Sequence, residues 1–185
     1  MLLAVPDDAL GPLIEGLAKL GAWQPGQLVA HTSGRFGVGI LHPVRAAAAI
    51  PLALHPPMTF TGMSLDLTRL LDCTFGVTAD AAMLPIAQAL VVEMGAEPVA
   101  IAEADRTLYH AALAHGSNHL VTLVAQASQL LREVGVEAPE RRLGPLLRAT
   151  LENALASGES ALTGPVARGA VGTVAAHAGA LREDD

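Results

Sequence analysis

The chain has 185 residues and a net charge of −7, with 51 % apolar residues and only 3 % aromatic ones. An acidic balance without a basic run excludes a nucleic-acid surface, which needs clustered cations. The single cysteine, Cys73, excludes an intrachain disulfide and a zinc site built on several thiolates.

With so few aromatics, the core has to be built from Ala, Leu and Val, which suits closely packed helices. No run of about 20 uninterrupted apolar residues offers a membrane span. The first residues lack the basic start of a signal peptide, so a reducing cytoplasm is expected. Mean hydropathy is high for a monomer and predicts that a second copy covers some apolar surface.

Leu2–Val5 is a short apolar run that leads through Pro6 into Asp7 and Asp8. A helix is predicted over Asp8–Leu20, with Leu10, Leu13, Ile14 and Leu17 at helical spacing and Gly21 beyond its end. Asp7 or Asp8 is expected to cap it. The run reads as a middle strand of a parallel sheet. It is therefore expected to form an exposed apolar edge, unless another subunit covers it or the gene product starts upstream.

Leu28–His31, Ile50–His55, Thr74–Thr78 and Pro98–Ala102 are further apolar runs. Without alternation they suit strands buried on both faces. A weaker helix is predicted over Ser33–Ala49, and a clear one over Ala82–Met94, starting near Pro85 and closed by Gly95. Strands alternating with helices predict parallel βαβ units over residues 1–102.

From residue 103 the strands stop. Asp105 can cap a long helix running to Val134 before Gly135, and Pro139 opens another that closes at Gly158. The loop Leu162–Gly169 leads to a last helix, Val171–Leu181. The acidic tail Glu183-Asp184-Asp185 is unfavourable at a helix C-terminus and is expected to fray. The fold class expected is an α/β part, 1–102, followed by an all-α domain, 103–185.

In doubly wound sheets, ligands bind outside the carboxyl ends of the strands. Three such ends carry polar turns here. Val5, Pro6 and Asp7 form the first; Thr32, Ser33 and Gly34 follow the second; His55, held extended by Pro56, ends the third. Each is either an ordinary turn or a ligand contact. On the long helix, His110 and Ser117 fall within about 20° of each other, two turns apart, with Asn118 beside them. His115 and His119 are an i, i+4 pair on the other side, but no Glu stands at position 116, so no metal site is predicted. Arg168, in the loop that starts near Thr163, could grip an anion bidentately or simply pair with an acid.

Taken together, Leu-Leu-Ala-Val-Pro-Asp-Asp, His-Thr-Ser-Gly, Leu-His-Pro-x-x-Thr-Phe, Tyr-His-x-Ala, Ser-Asn-His-Leu and Leu-Thr-Gly-Pro-x-x-Arg-Gly occur in this order. As a set they resemble a bacterial family of Rossmann-like proteins with a helical C-terminal domain of unknown function. The family is similar in layout to ketopantoate reductase, prephenate dehydrogenase and deazaflavin-linked NADP reductases. Its C-terminal domain is like that of 6-phosphogluconate dehydrogenase.

The resemblance implies an NAD(P)-dependent oxidoreductase of a small carbonyl or imine substrate. Its cofactor, NADP or NAD, would meet Val5, Pro6, Asp7, Thr32, Ser33 and Gly34. His110, His55, Ser117 and Asn118 would be catalytic, and Arg168 and Thr163 would bind substrate. Three departures stand out. The leading, glycine-rich half of the nucleotide-binding domain is not in these residues, so weak cofactor binding is expected. Ala170 stands where members carry an acid. The lysine that ketopantoate reductases place on the helix entering the second domain has no counterpart, since Lys19 is the sole lysine. The alternative is a non-catalytic helical dimerisation or binding module with a vestigial nucleotide-binding part. A homodimer through the alanine-rich helices fits either reading.

Overall fold

The computed structural model describes residues 1–181, so the expectation for the acidic tail lies outside the described residues. Five strands form one sheet in the order β1-β2-β3-β4-β5: β1 Leu2–Leu3, β2 Leu28–His31, β3 Ile50–His55, β4 Thr74–Ala79 and β5 Glu97–Ala100. Between them lie α1 Asp7–Lys19, α2 His42–Ala46, α3 Leu65–Leu71 and α4 Leu84–Glu93. Then follow α5 Arg106–Glu133, α6 Pro139–Ser157, α7 Gly164–Ala167 and α8 Val171–Ala180. The contacts divide the chain into two compact units, Met1–His119 and from Leu120 onward. No helix of the described residues is long and apolar enough to cross a membrane.

Strand alternation splits the core into two layers. Ala30, Leu52, Leu54, Phe75 and Val77 face α4 and pack against Ala87 and Val91. Leu3 and Val29 face the other way, against Leu10 and Ile14 of α1 and Val44 of α2. Period-2 side chains thus bury both sides of the central strands, which is why those runs show no polar alternation.

Three sequence expectations need correcting. First, β1 pairs with β2, β2 with β3 and β4 with β5 in parallel, but β3 and β4 are antiparallel, with His55 opposite Gly76 and Leu52 opposite Ala79. The segment from 56 to 73 returns to the sheet at the end where β3 stopped, so α3 makes no crossover. An apolar run buried on both faces looks the same in either direction.

Second, neither Asp7 nor Asp8 caps α1. Pro6 holds the N-cap position without a side-chain bond, and the two acids lie in the first turn, where they complement the helix dipole. Third, no helix spans 33–49. Only a 3-10 turn, Val38–Leu41, and α2 form there. Gly34, Gly37 and Gly39 disfavour helix, and the carbonyls of Ser33 and Gly34 are engaged by Arg106 from α5.

That arginine fixes the start of α5 against the sheet. Arg106 is 1 % exposed. Its Nε donates to Thr78 Oγ1 at 2.8 Å, and its Nη2 donates to the carbonyls of Ala53 (2.9 Å) and Gly76 (3.1 Å). Thr78 in turn donates to the carbonyl of Ile101, just before α5. Buried charge is tolerated only when fully hydrogen-bonded, and a rigid five-donor fork meets several carbonyls better than an ammonium. Arg106→Met is therefore expected to destabilise the chain by about 3 kcal/mol in urea unfolding, and Arg106→Lys to recover less than half of that.

Candidate functional site

The candidate residues of the first unit gather on the α1-facing side of the sheet, at the carboxyl ends of β1, β2 and β3. His31 ends β2 and is fully buried. Its Nδ1 accepts from the backbone N–H of Ser33 at 3.2 Å, so its Nε2 carries the proton donated to the carbonyl of Gly37 at 2.8 Å. Ser33 Oγ accepts from the N–H of Phe36. Burial, the largest influence, holds the His31 pKa below its usual value. This histidine is a brace for the 33–37 loop, not a ligand group.

The same loop is held from the far side by Glu103, whose carboxylate accepts from the N–H groups of Val38 (2.8 Å) and Gly39 (2.9 Å). A Cβ on Gly37 would stand 2.0 Å from that carboxylate, so a side chain there would displace Glu103 from its two N–H partners.

From Arg106 the helix climbs the sheet towards those strand ends. Tyr109 crosses Gly76, where a Cβ would meet the phenol oxygen at 2.5 Å. The phenol lies 3.0 Å from His55 Nδ1, with the two rings edge to face. One residue further, His110 sets its ring edge-on to His55 with centroids 5.7 Å apart. Gly34 closes the group: a Cβ there would be 2.6 Å from His110 Cδ2 and 2.8 Å from His55 Nε2. Burial first, then the charges of His110 and Arg106, push the His55 pKa down to about 4. At neutral pH His55 is therefore an uncharged imidazole. Burial raises the Tyr109 pKa and outweighs the opposing pull of Arg106.

Two depressions meet at this group. A cleft of about 480 Å³ is walled by His55, Met58 and Thr59 on one side and by His110, Leu113, Ala114, Ser117 and Asn118 on the other. No Asp, Glu, Lys or Arg side chain lines it. A groove of about 750 Å³ runs beside it along Val5, Pro6 and Thr32 to His55, Met58 and Phe60. His55 and Met58 belong to both.

The four residues expected from sequence to be catalytic, His55, His110, Ser117 and Asn118, thus share one cleft. Of the residues expected to meet a cofactor, Val5, Pro6 and Thr32 line the groove. Gly34 packs under the imidazoles, Ser33 is buried in its own turn, and Asp7 lies in the first turn of α1 outside the groove lining. Thr163 and Arg168 flank α7 in the second unit and are exposed. Arg106, Tyr109 and Glu103 were not singled out from sequence. A lone arginine opening a helix has no local mark, because every one of its acceptors is 28 or more residues away.

Two outcomes test this geometry. Unfolded His55 takes up a proton near pH 6.5 and folded His55 near 4. Its contribution to stability is thus complete above pH 6.5 and lost as pH falls from there to 4. His55→Gln should flatten that part of a stability–pH profile by on the order of 2 kcal/mol, leaving the smaller slope from His31. Gly34→Ala should displace both imidazoles, seen as shifts of the His55 and His110 ring protons by NMR, with little change at His31.

The chain's backbone is similar to several solved structures. A protein of Thermotoga maritima is 23 % identical with a TM-score of 0.77, the match covering 95 % of this chain and 67 % of that one. A Bacteroides fragilis protein, provisionally named as an NADP oxidoreductase, gives 18 % and 0.79, covering 99 % and 68 %. Plasmodium falciparum pyrroline carboxylate reductase, solved with NADP bound, gives 11 % and 0.64, covering 99 % and 74 %. No curated protein is detectably similar in sequence. Residues 1–56 match the model of a Rossmann-like domain. Residues 73–185 match the domain of unknown function DUF2520, so the chain belongs to a family of Rossmann-like proteins with that helical C-terminal domain.

Proposed function

We propose that the groove and the cleft are the nicotinamide and substrate halves of an NADP(H)-dependent oxidoreductase site for a small carbonyl or imine. The observation that carries this reading is the position of His55, which lines both depressions and so stands where cofactor and substrate would meet. The residues fit the nicotinamide end of the cofactor. The groove has apolar walls at Val5, Pro6 and Phe60, with the Thr32 hydroxyl and the His55 imidazole as polar points. The bound cofactor would supply the hydride.

In this reading His55 and His110 hold and move the proton that accompanies hydride transfer. Ser117 and Asn118 orient the substrate through neutral hydrogen bonds. A lining without carboxylates, ammonium or guanidinium groups favours an uncharged reacting end. The 185 residues contain no Gly-x-Gly-x-x-Gly turn for the pyrophosphate. Affinity of this chain for the whole dinucleotide is therefore expected to be weak.

Titration of NADPH into the ¹⁵N-labelled chain tests the assignment. Saturable shifts at Val5, Thr32, Gly34 and His55 are expected. Shifts confined to residues away from both depressions would overturn it. A second reading, a helical pairing module, draws on Leu146, Leu155, Leu162, Val166 and Val171, which are all exposed in the single chain. Light scattering that shows a dimer, together with no NADPH response, would favour that reading.

A further inference from the structure

We infer that Tyr109 is the proton reservoir of the cleft. Its hydroxyl fixes His55 as the Nε2–H tautomer and resupplies the proton that His55 gives up, while Arg106 stabilises the phenolate left behind. This rests on the reading of the cleft as a carbonyl-reducing site.

The Tyr109 ring lies between a buried cation and an imidazole nitrogen. Arg106 is a buried cation whose bonds run to carbonyls and a hydroxyl, with no carboxylate among those partners. Its guanidinium carbon lies 5.8 Å from the centre of the Tyr109 ring. The hydrogen-bond partner of the phenol is the nitrogen 3.0 Å away, His55 Nδ1, and a neutral imidazole nitrogen facing a phenol O–H accepts its proton. With Nδ1 accepting, the His55 proton sits on Nε2, at the edge next to Gly34 and His110.

Reduction of a carbonyl takes one hydride, which carries both electrons, at carbon and one proton at oxygen; the hydride would come from a reduced nicotinamide, which would be oxidised. The carbonyl oxygen, now negative, forms an O–H bond with the Nε2 proton. As that N–H bond breaks, Nδ1 takes the Tyr109 proton, so the imidazole stays neutral and only exchanges tautomers. The negative charge ends on the phenol oxygen, beside Arg106, until water returns a proton. A phenol that keeps its proton at neutral pH is still far more acidic than the alcohol formed, so the transfer runs downhill. Tyr109 touches no substrate and is a positioning residue as well as the proton source.

Tyr109 is the only tyrosine in the chain, which makes the test direct. In the full ¹⁵N-labelled chain at pH 7, long-range ¹H–¹⁵N spectra should show His55 as Nε2–H alone, with a slowly exchanging tyrosine hydroxyl proton correlated to its Nδ1. His55→Gln supplies the assignment, and His31 is an internal Nε2–H reference. Tyr109→Phe should remove the hydroxyl resonance and allow a measurable Nδ1–H population at His55. Finding Nδ1–H or charged His55 in the unaltered chain overturns the inference, even if the variant fails to fold. These spectra need no cofactor, so they are independent of NADPH binding.

Turnover with NADPH and a panel of small aldehydes and ketones tests the relay itself. Tyr109→Phe should lower kcat at least tenfold with KM unchanged. An unchanged kcat overturns the relay. Absence of reduction with every carbonyl overturns the reading of the cleft, and the relay with it, while the tautomer result stands by itself.

Discussion

One buried cation organises the first unit. Arg106 meets carbonyls from β3, from β4 and from the loop after β2, plus the hydroxyl of Thr78. A guanidinium can satisfy such a set at once because its donors are fixed in one plane. The cost of removing it from water is offset only while every one of those acceptors stays in place. The arginine therefore constrains the loop, the two strands and the helix start to a single arrangement.

Everything in the candidate site is placed by reference to that anchor. Tyr109 follows one turn after Arg106, and His110 comes next on the helix. Once the helix start is pinned, helical geometry carries His110, Ser117 and Asn118 along one wall of the cleft. Glycine at 34 and at 76 provides the room. Any side chain at either position would collide with His55, His110 or Tyr109. The absence of a Cβ at these positions is thus a packing requirement, since neither glycine has a left-handed backbone.

The electrostatics follow from the same arrangement. A fixed positive charge behind the imidazoles, together with burial, keeps His55 neutral. Glu103 is committed to backbone N–H groups of the loop after β2 and does not line the cleft. Imidazole, hydroxyl and amide groups, rather than acids or arginines, thus stand where the two depressions join.

Local pattern alone determined most of the elements. The five strands, α1, α4, α5, α6 and α8 all fall within a few residues of where apolar runs, helical spacing and glycine stops place them, because burial on one face or both imposes those periods directly. The shared wall of His110, Ser117 and Asn118 was legible for the same reason, as residues seven or eight apart on one helix. Tertiary structure decided the rest. The direction of β4 depends on the end of the sheet at which the preceding segment returns, and a run buried on both faces carries no trace of that. The capping of α1 by Pro6, the loop where a helix over 33–49 was expected, and the roles of Arg106, Tyr109 and Glu103 depend on partners far away along the chain. No local period can record a hydrogen bond whose other half arrives from another strand.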